Sequence, residues 1–309
     1  MSVDPQTSEW PEAVGVIGLG IMGSAIARNL VKAGRRVVGY DSDKTQCDRA
    51  EADGVDIAAD AAQVAGQVGL MLTSLPSEQA LNDTVATLTE NPPADGLILA
   101  ELSTLSLECK LANAKTLADS GITLLDCPIS GTGSQAVSGD IVIYGSGDEA
   151  TFEKCVPVLA DFSRASHYLG ELGNGTKVKL VANLLVAINN VATAEALVLG
   201  ERCGLDPNTL REVIESGAAT SRVFEIRAPL MISGQYEPPT MKLDVWQKDL
   251  QLIADFAASC QVITPLFSAS ASLYEKAVAD GRGHQDTAAV CTVLEALAGK
   301  KAPPESSGT

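Results

Sequence analysis

Along the first half of the chain, short apolar runs alternate with stretches whose apolar residues recur every three or four positions. The runs Ala13–Gly18, Arg36–Asp41, Val68–Leu75, Gly96–Leu102, Thr123–Pro128 and Ile141–Gly145 read as strands, and the spacing over Gly23–Ala33 and Glu78–Thr89 reads as helix. Strands that are apolar on both faces and separated by helices predict an α/β domain built on a doubly wound parallel sheet. After about residue 170 the strand signals stop. Asn174–Gly204 predicts one long helix, apolar nearly all round. Such a helix cannot face water on every side, so other helices must wrap it, in part from a second subunit. Asp206-Pro207 then reads as an N-cap followed by proline at the first helical position. Further helices follow, with breaks near Gly234–Pro239 and Gly281–Gly283. The expected organisation is an α/β domain over 13–172 and a connecting helix with an all-α C-terminal domain over 173–299. The ends, 1–12 and 300–309, are expected to be disordered.

Composition narrows the function classes. The 309 residues allow about two domains. A net charge of −17 argues against a nucleic-acid or anionic-membrane partner, because such binders need clustered Lys and Arg. The uninterrupted apolar runs fall short of the roughly 20 residues of a membrane span. The polar, acidic start MSVDPQTSEW has no basic or apolar region of a signal peptide. Seven scattered cysteines without a CxxC pair, and only two histidines, argue against a disulfide framework and against a metal site. The cysteines read as buried small hydrophobes in a reducing, cytoplasmic compartment.

The chemistry-bearing segments cluster where strands end. Gly18-Leu19-Gly20-Ile21-Met22-Gly23 follows the strand AVGVIG and opens the helix SAIARNLVKAG, the context in which GxGxxG cradles a dinucleotide. Gly18 permits the tight turn, Gly20 lets the backbone approach a pyrophosphate, and Gly23 allows close helix–strand packing. The helix N-terminus offers unpaired N–H groups and the positive end of a dipole. Asp41, ending the next strand, would accept hydrogen bonds from ribose hydroxyls and repel a 2′-phosphate, so NAD is expected rather than NADP. Leu75-Pro76 and Glu101-Leu102-Ser103-Thr104 close two further strands, on the side where ligands of such sheets bind. In Asp126-Cys127-Pro128-Ile129-Ser130-Gly131-Thr132-Gly133, the backbone of Ser130, Gly131 and Thr132 suits an anionic group. At the start of the long helix stand two lysines. Lys179 shares a face with Asn183, four residues on, whereas Lys177 is followed at that spacing by Val181. A lysine at the mouth of an apolar helix can lose basicity by burial and shuttle a proton near neutrality; a solvated first-turn lysine is the alternative. Lys248, in MKLDVWQKDL, reads as an exposed helix charge or as a cation for an anionic ligand.

These segments, in this order over roughly residues 13–298, resemble the β-hydroxyacid dehydrogenase family, whose members include 3-hydroxyisobutyrate dehydrogenases and tartronate-semialdehyde reductases. The resemblance implies a Rossmann domain, a long connecting helix and an all-helical C-terminal domain used in dimerisation, hence a homodimer or homotetramer. It implies an NAD-dependent dehydrogenase or reductase acting on a small 3-hydroxy acid or the matching aldehyde. Residue by residue, it gives Lys179 as catalytic lysine, Asn183 as its asparagine one turn on, and Ser130 and Gly131 as substrate-binding. Thr104 matches the nicotinamide-side threonine and Lys248 the cofactor-side lysine. Three positions depart from the family pattern around the substrate: Thr132 replaces a glycine, Ala182 an asparagine and Met241 a phenylalanine. Imine reductases are similar but usually lack the lysine that Lys179 provides. A non-catalytic dinucleotide-binding protein of this fold would not need Lys179 with Asn183.

Overall fold

A computed structural model describes residues 12–93 and 96–299 of the chain. The segments 1–11 and 300–309, expected to be disordered, lie outside the described residues. By its internal contacts the chain divides into two compact units, one up to Lys179 and one from Leu180.

The first unit alternates strands and helices in the order β1 (Ala13–Ile17), α1 (Ile21–Lys32), β2 (Arg36–Tyr40), α2 (Lys44–Ala52), β3 (Asp56–Ile57), α3 (Ala61–Ala65), β4 (Leu70–Thr73), α4 (Glu78–Glu90), β5 (Ile98–Glu101), α5 (Leu107–Ala118) and β6 (Thr123–Asp126). All six strands are parallel and lie in the order β3-β2-β1-β4-β5-β6. The direction of winding therefore reverses between β1 and β4, and ligands of such sheets bind in the crevice that this reversal opens at the carboxyl ends. The central strands are buried on both faces: β1 and β4 have no partly exposed residue. That is why they read as unbroken apolar runs rather than alternating ones. Two cores result, one on each face of the sheet.

The chain then leaves the parallel sheet. Next come β7 (Ile129–Ser130), α6 (Gly133–Val137), β8 (Val142–Gly145), α7 (Glu149–Ala160) and β9 (Ala165–Tyr168). The run Ile141–Gly145, expected as a further parallel strand, instead forms the centre of a separate mixed sheet, β7-β8-β9, antiparallel to β7 and parallel to β9. The short strands β3, β7 and β9 carried too little apolar pattern to be read; β9, Ala-Ser-His-Tyr, is only partly buried along its length.

Helix α8 (Asn174–Arg202) begins in the first unit and forms the core helix of the second. There α9 (Pro207–Glu215), α10 (Arg222–Ser233), α11 (Leu243–Ser259), α12 (Pro265–Ala277) and α13 (Cys291–Leu297) surround one core. Asp206 caps α9 by accepting the Thr209 N–H at 2.8 Å, with Pro207 next, as its spacing implied. In the break after Gly234, the Asp286 carboxylate accepts both Thr240 donors and the Arg227 guanidinium. Burial pushes Asp286 up, but Arg227 and the backbone N–H groups outweigh it and hold this acid below the ordinary carboxylate range.

Among the described residues, α8 is wrapped along one stripe. Its buried stripe is Leu180, Asn183, Ala187, Asn190, Val191, Ala194 and Leu197, while Val181, Leu185 and Leu199 are exposed. Two asparagines thus point into protein, while four large aliphatics, Val178 with these three, point out. Asn190 enters the core because its Nδ2 donates to the Tyr274 hydroxyl and the Thr287 carbonyl. By length and mean hydropathy, 1.5 over its best 18-residue window, α8 meets the requirement for a membrane span that the uninterrupted runs did not. Its buried stripe makes it a core helix.

Candidate active site

The loop after β1 is set by close approach. Gly18 adopts φ +85°, and a Cβ there would overlap the Ser74 carbonyl at the end of β4. A Cβ on Gly23 would overlap the carbonyl oxygen of Gly18 itself. Around Gly20 nothing lies within 4 Å of a Cβ position. The first turn of α1 is therefore pulled down onto the sheet at Gly18 and Gly23, and its mouth at Gly20 is left open. The Leu19 N–H donates to Asp41 Oδ2 at 2.7 Å and the Asp43 N–H to Asp41 Oδ1 at 2.8 Å, which fixes the Asp41 carboxylate beside this mouth. Each oxygen keeps a lone pair for a further donor. Open backbone at Gly20, a helix N-terminus and a fixed carboxylate suit the pyrophosphate and ribose of a dinucleotide. Ile21 and Met22 line the same turn, with Ile21 fully outward.

The cations near Asp41 are committed elsewhere. Lys44 pairs with Asp48 at 2.8 Å, and hydrogen bonding to that carboxylate raises its pKa. Asp43 caps α2, and the Thr45 N–H holds its carboxyl below the ordinary value.

At the ends of β4 and β5, the Leu75 N–H donates to Ser103 Oγ at 2.7 Å, joining the Leu75-Pro76 and Glu101–Thr104 segments. Beneath them lies a group that sequence reading did not single out. Lys110, fully buried on α5, places its ammonium 2.6 Å from Glu101 Oε2 and 2.8 Å from Asp126 Oδ1, and donates to the Ser103 carbonyl at 2.8 Å. Burial alone would push this amine down; Glu101 and Asp126 outweigh it and raise it. Asp126 in turn accepts the Thr176 N–H at 2.7 Å, the Thr176 hydroxyl at 2.8 Å and the Ser146 hydroxyl at 3.2 Å. The one available signal was that Lys110 shares the helix face of Asn113 and Leu117, which turns inward.

Ser130 ends β7, and Gly131 and Thr132 lead into α6. Thr132, expected to hold an anion, is spent on the turn: its N–H donates to Gln135 Oε1 at 3.0 Å and its hydroxyl meets Ser134 Oγ at 2.9 Å. A threonine hydroxyl at an N-cap finds its partners within three residues. The loop is tied to the dinucleotide turn. Asn29 Nδ2 donates to the Ala136 carbonyl at 2.8 Å, and a Cβ on Gly133 would overlap the Ile21 side chain.

On α8 the two lysines part as their helix faces imply. Lys177 is partly exposed and donates to Asn174 Oδ1 at 3.0 Å, whereas Lys179 is 9% exposed. Asn183 follows one turn after Lys179 on the same helix and is buried. In the second unit its Nδ2 donates to Asp249 Oδ2 at 3.0 Å, and Lys248 stands 3.6 Å from the other oxygen of that carboxylate. Asp249 is the partner that sequence reading missed; it sits beside Lys248 in KDL but carries no signal of its own. The structure thus gathers Gly18–Gly23 with Asp41, Leu75 with Ser103, and Asn183 with Asp249 and Lys248.

A reversing parallel sheet with this glycine turn and acidic strand end defines a dinucleotide-binding oxidoreductase, and sequence comparison agrees. Residues 13–170 match the model of the NAD-binding domain of 6-phosphogluconate dehydrogenase, and residues 173–294 that of the NAD-binding region of NADP-dependent 3-hydroxyisobutyrate dehydrogenase. The chain belongs to the β-hydroxyacid dehydrogenase family and is an NAD(P)-dependent dehydrogenase or reductase. It is 32% identical over 290 residues to 2-(hydroxymethyl)glutarate dehydrogenase of Eubacterium barkeri, covering 93% of this chain and 96% of that one. It is 31% identical over 294 residues to the chloroplastic glyoxylate/succinic semialdehyde reductase 2 of Arabidopsis thaliana, covering 94% and 81%. The crystal structure of 3-hydroxyisobutyrate dehydrogenase from Salmonella typhimurium superposes with a TM-score of 0.81 at 29% identity, over 91% of this chain and 99% of that one. A Streptomyces aurantiacus imine reductase, at 21% identity and a TM-score of 0.62, shares the fold alone.

The glycines give a direct test. Gly23→Ala places a methyl group against backbone and should cost about 3 kcal/mol in urea unfolding, the upper end for overpacking. Gly20→Ala meets no protein atom, so its unfolding midpoint should stay at the wild-type value. Its NADH affinity, read by fluorescence titration, should fall at least about tenfold, or roughly 1.4 kcal/mol.

Proposed function

We propose that the enzyme interconverts a small semialdehyde bearing a carboxylate and the matching 3-hydroxy acid, with NAD(H) as cofactor and Lys179 as proton carrier. The observation that carries this reading is the burial of Lys179 at the head of α8, with Asn183 one turn on, while neighbouring Lys177 is taken up by Asn174. The bound nicotinamide supplies or accepts the hydride. Lys179 gives its proton to the carbonyl oxygen as that oxygen gains charge, and takes it from the hydroxyl in the reverse direction. Asn183, its amide nitrogen turned to Asp249, keeps Oδ1 to orient the substrate or the lysine. Ser130 and Gly131 hold the carboxylate, on a loop whose shape Thr132 sets. Leu75, Pro76 and Thr104 flank the nicotinamide half, and Lys248 offers a cation to the cofactor. Of the substrates named for the relatives, 2-(hydroxymethyl)glutarate is a 3-hydroxy acid and supports this class, while glyoxylate and succinic semialdehyde support a small aldehyde that bears a carboxylate.

For the cofactor, Asp41 supports NAD: its fixed carboxylate would face the 2′-phosphate of NADP with Lys44 already paired to Asp48. For assembly, the exposed aliphatics Val181, Leu185 and Leu199 on a helix otherwise built into a core support burial against a second copy, in a homodimer or homotetramer. Seven cysteines outside any disulfide among the described residues, five of them buried, support a reducing cytoplasmic setting.

A panel of glyoxylate and succinic semialdehyde with NADH, and L-threonate and 2-(hydroxymethyl)glutarate with NAD, followed by nucleotide absorbance, tests the substrate class; no turnover with any acid overturns it. Lys179→Ala should lower kcat by about 10²–10⁴-fold with NADH binding intact, and Lys177→Ala by less than about twofold; equal losses refute the assignment. Cofactor choice has its own measure. NADH should exceed NADPH by at least about tenfold in kcat/KM, a difference of roughly 1.4 kcal/mol, and Asp41→Ser with Ser42→Arg should narrow or reverse the ratio. Light scattering at micromolar concentration should show at least twice the chain mass, and Leu185→Glu should return the protein to monomer.

A further inference from the structure

We infer that Asp126 and Thr176 are positioning residues for Lys179, acting as a cap supplied to α8 by a distant strand. The inference rests on the reading of Lys179 as proton carrier. A helix leaves its first four N–H groups without helical partners. In α8 three of them have partners outside the helix, and the Lys177 N–H makes the first regular helical bond, to the Gly173 carbonyl. The Asn174 N–H donates to the Glu171 carbonyl. The Gly175 N–H donates to Ser146 Oγ and that of Thr176 to Asp126 Oδ2. Among the described residues, the side chains that accept these N–H groups are those of Ser146 and Asp126. The capping carboxylate comes from β6, 50 residues earlier.

The cap is rigid because each partner is fixed in turn. Asp126 is fully buried and bound by Lys110, which Glu101 also holds. Gly175 has no room for a Cβ, which would overlap the Tyr144 carbonyl and stand 2.7 Å from that of Asp126. The helix start is thereby wedged against the ends of β6 and β8. Thr176 adds a second anchor, its hydroxyl on Asp126 Oδ1. Lys179 is three residues on, so its Cβ lies on the same helix face as that of Thr176. The two-point hold of Thr176 on Asp126 therefore sets the rotation of the turn that aims Lys179. The charges agree with this role. The acidic side chain of Asp126 meets the Thr176 N–H at the positive end of the α8 dipole.

Thr176→Val keeps the shape and removes one hydrogen bond, and Thr176→Ser restores it. With the fastest substrate of the panel above, Thr176→Val should lower kcat about tenfold, since small misplacements of a reacting group cost one to two powers of ten. KM and NADH affinity should stay near wild type, and the unfolding midpoint should fall slightly, to the same extent with and without Lys179. Thr176→Ser should remain within about twofold of wild type. In a Lys179→Ala background, Thr176→Val should change kcat by less than about twofold, because its effect passes through the lysine. An unchanged kcat in Thr176→Val, an impaired Thr176→Ser, or the same tenfold loss with and without Lys179 overturns the inference. A Lys179→Ala enzyme with wild-type kcat overturns the proton-carrier reading, and this one with it.

Discussion

A lysine ammonium with no access to water organises the catalytic half of this enzyme. Lys110 sits between Glu101, Asp126 and the Ser103 carbonyl, where the ends of β5 and β6 meet α5. Taking three charges out of water costs several kcal/mol per ion, and the group persists because its polar atoms find partners in the protein. The ammonium spends its protons on Asp126 and Ser103, Asp126 takes up Thr176 and Ser146, and Glu101 accepts the Ser103 N–H at 2.8 Å. Removing Lys110 would leave two buried carboxyl groups without their cation, a loss of about 3–5 kcal/mol by comparison with broken buried pairs. Such a cluster tolerates one register of strands and helices, because a one-residue slip of β5 or β6 would turn its carboxylate to the other face of the sheet.

From that point the geometry runs outward to the surface that binds ligands. Ser103, held by Lys110 and Glu101, receives the Leu75 N–H and so fixes the loop after β4. Ser74, just before it, occupies the space that a side chain on Gly18 would need. Gly18 accepts the close approach of Gly23, and Leu19 grips Asp41. The dinucleotide turn is thus continuous, by hydrogen bond or contact, with the group that starts α8. Cofactor surface and helix start are built from one connected set of strand ends, so both are placed by the same sheet register.

Much of this was legible in the residue order. Two-sided apolar strands, their helical spacers, the glycine turn, Asp41 and the Asp206-Pro207 cap all depend on neighbours close in sequence, and each took the form its pattern implied. Helix periodicity put Lys179 on the face of Asn183 and Lys177 on another, since side chains four apart share a face whatever surrounds them, and the burial of the two lysines differs accordingly. The resemblance to a known family added the functional assignment of segments whose composition alone is common to many turns.

Other features were decided by contacts between residues far apart, which no local pattern records. The Ile141–Gly145 run is apolar enough for the parallel sheet, yet it pairs with β7 and β9 because the chain after β6 turns back on itself. Thr132 also serves as a cap, since Gln135 comes within reach only once α6 has formed. Lys110, Thr176 and Asp249 read as ordinary helix residues until folding set carboxylates or an asparagine beside them. The sequence by itself determined which segments become strands and helices and which face of each is apolar, because those depend on spacings of two to four residues. Only the tertiary structure decided which polar groups meet in the interior, because a buried charge is stable only where partners distant in the chain arrive together.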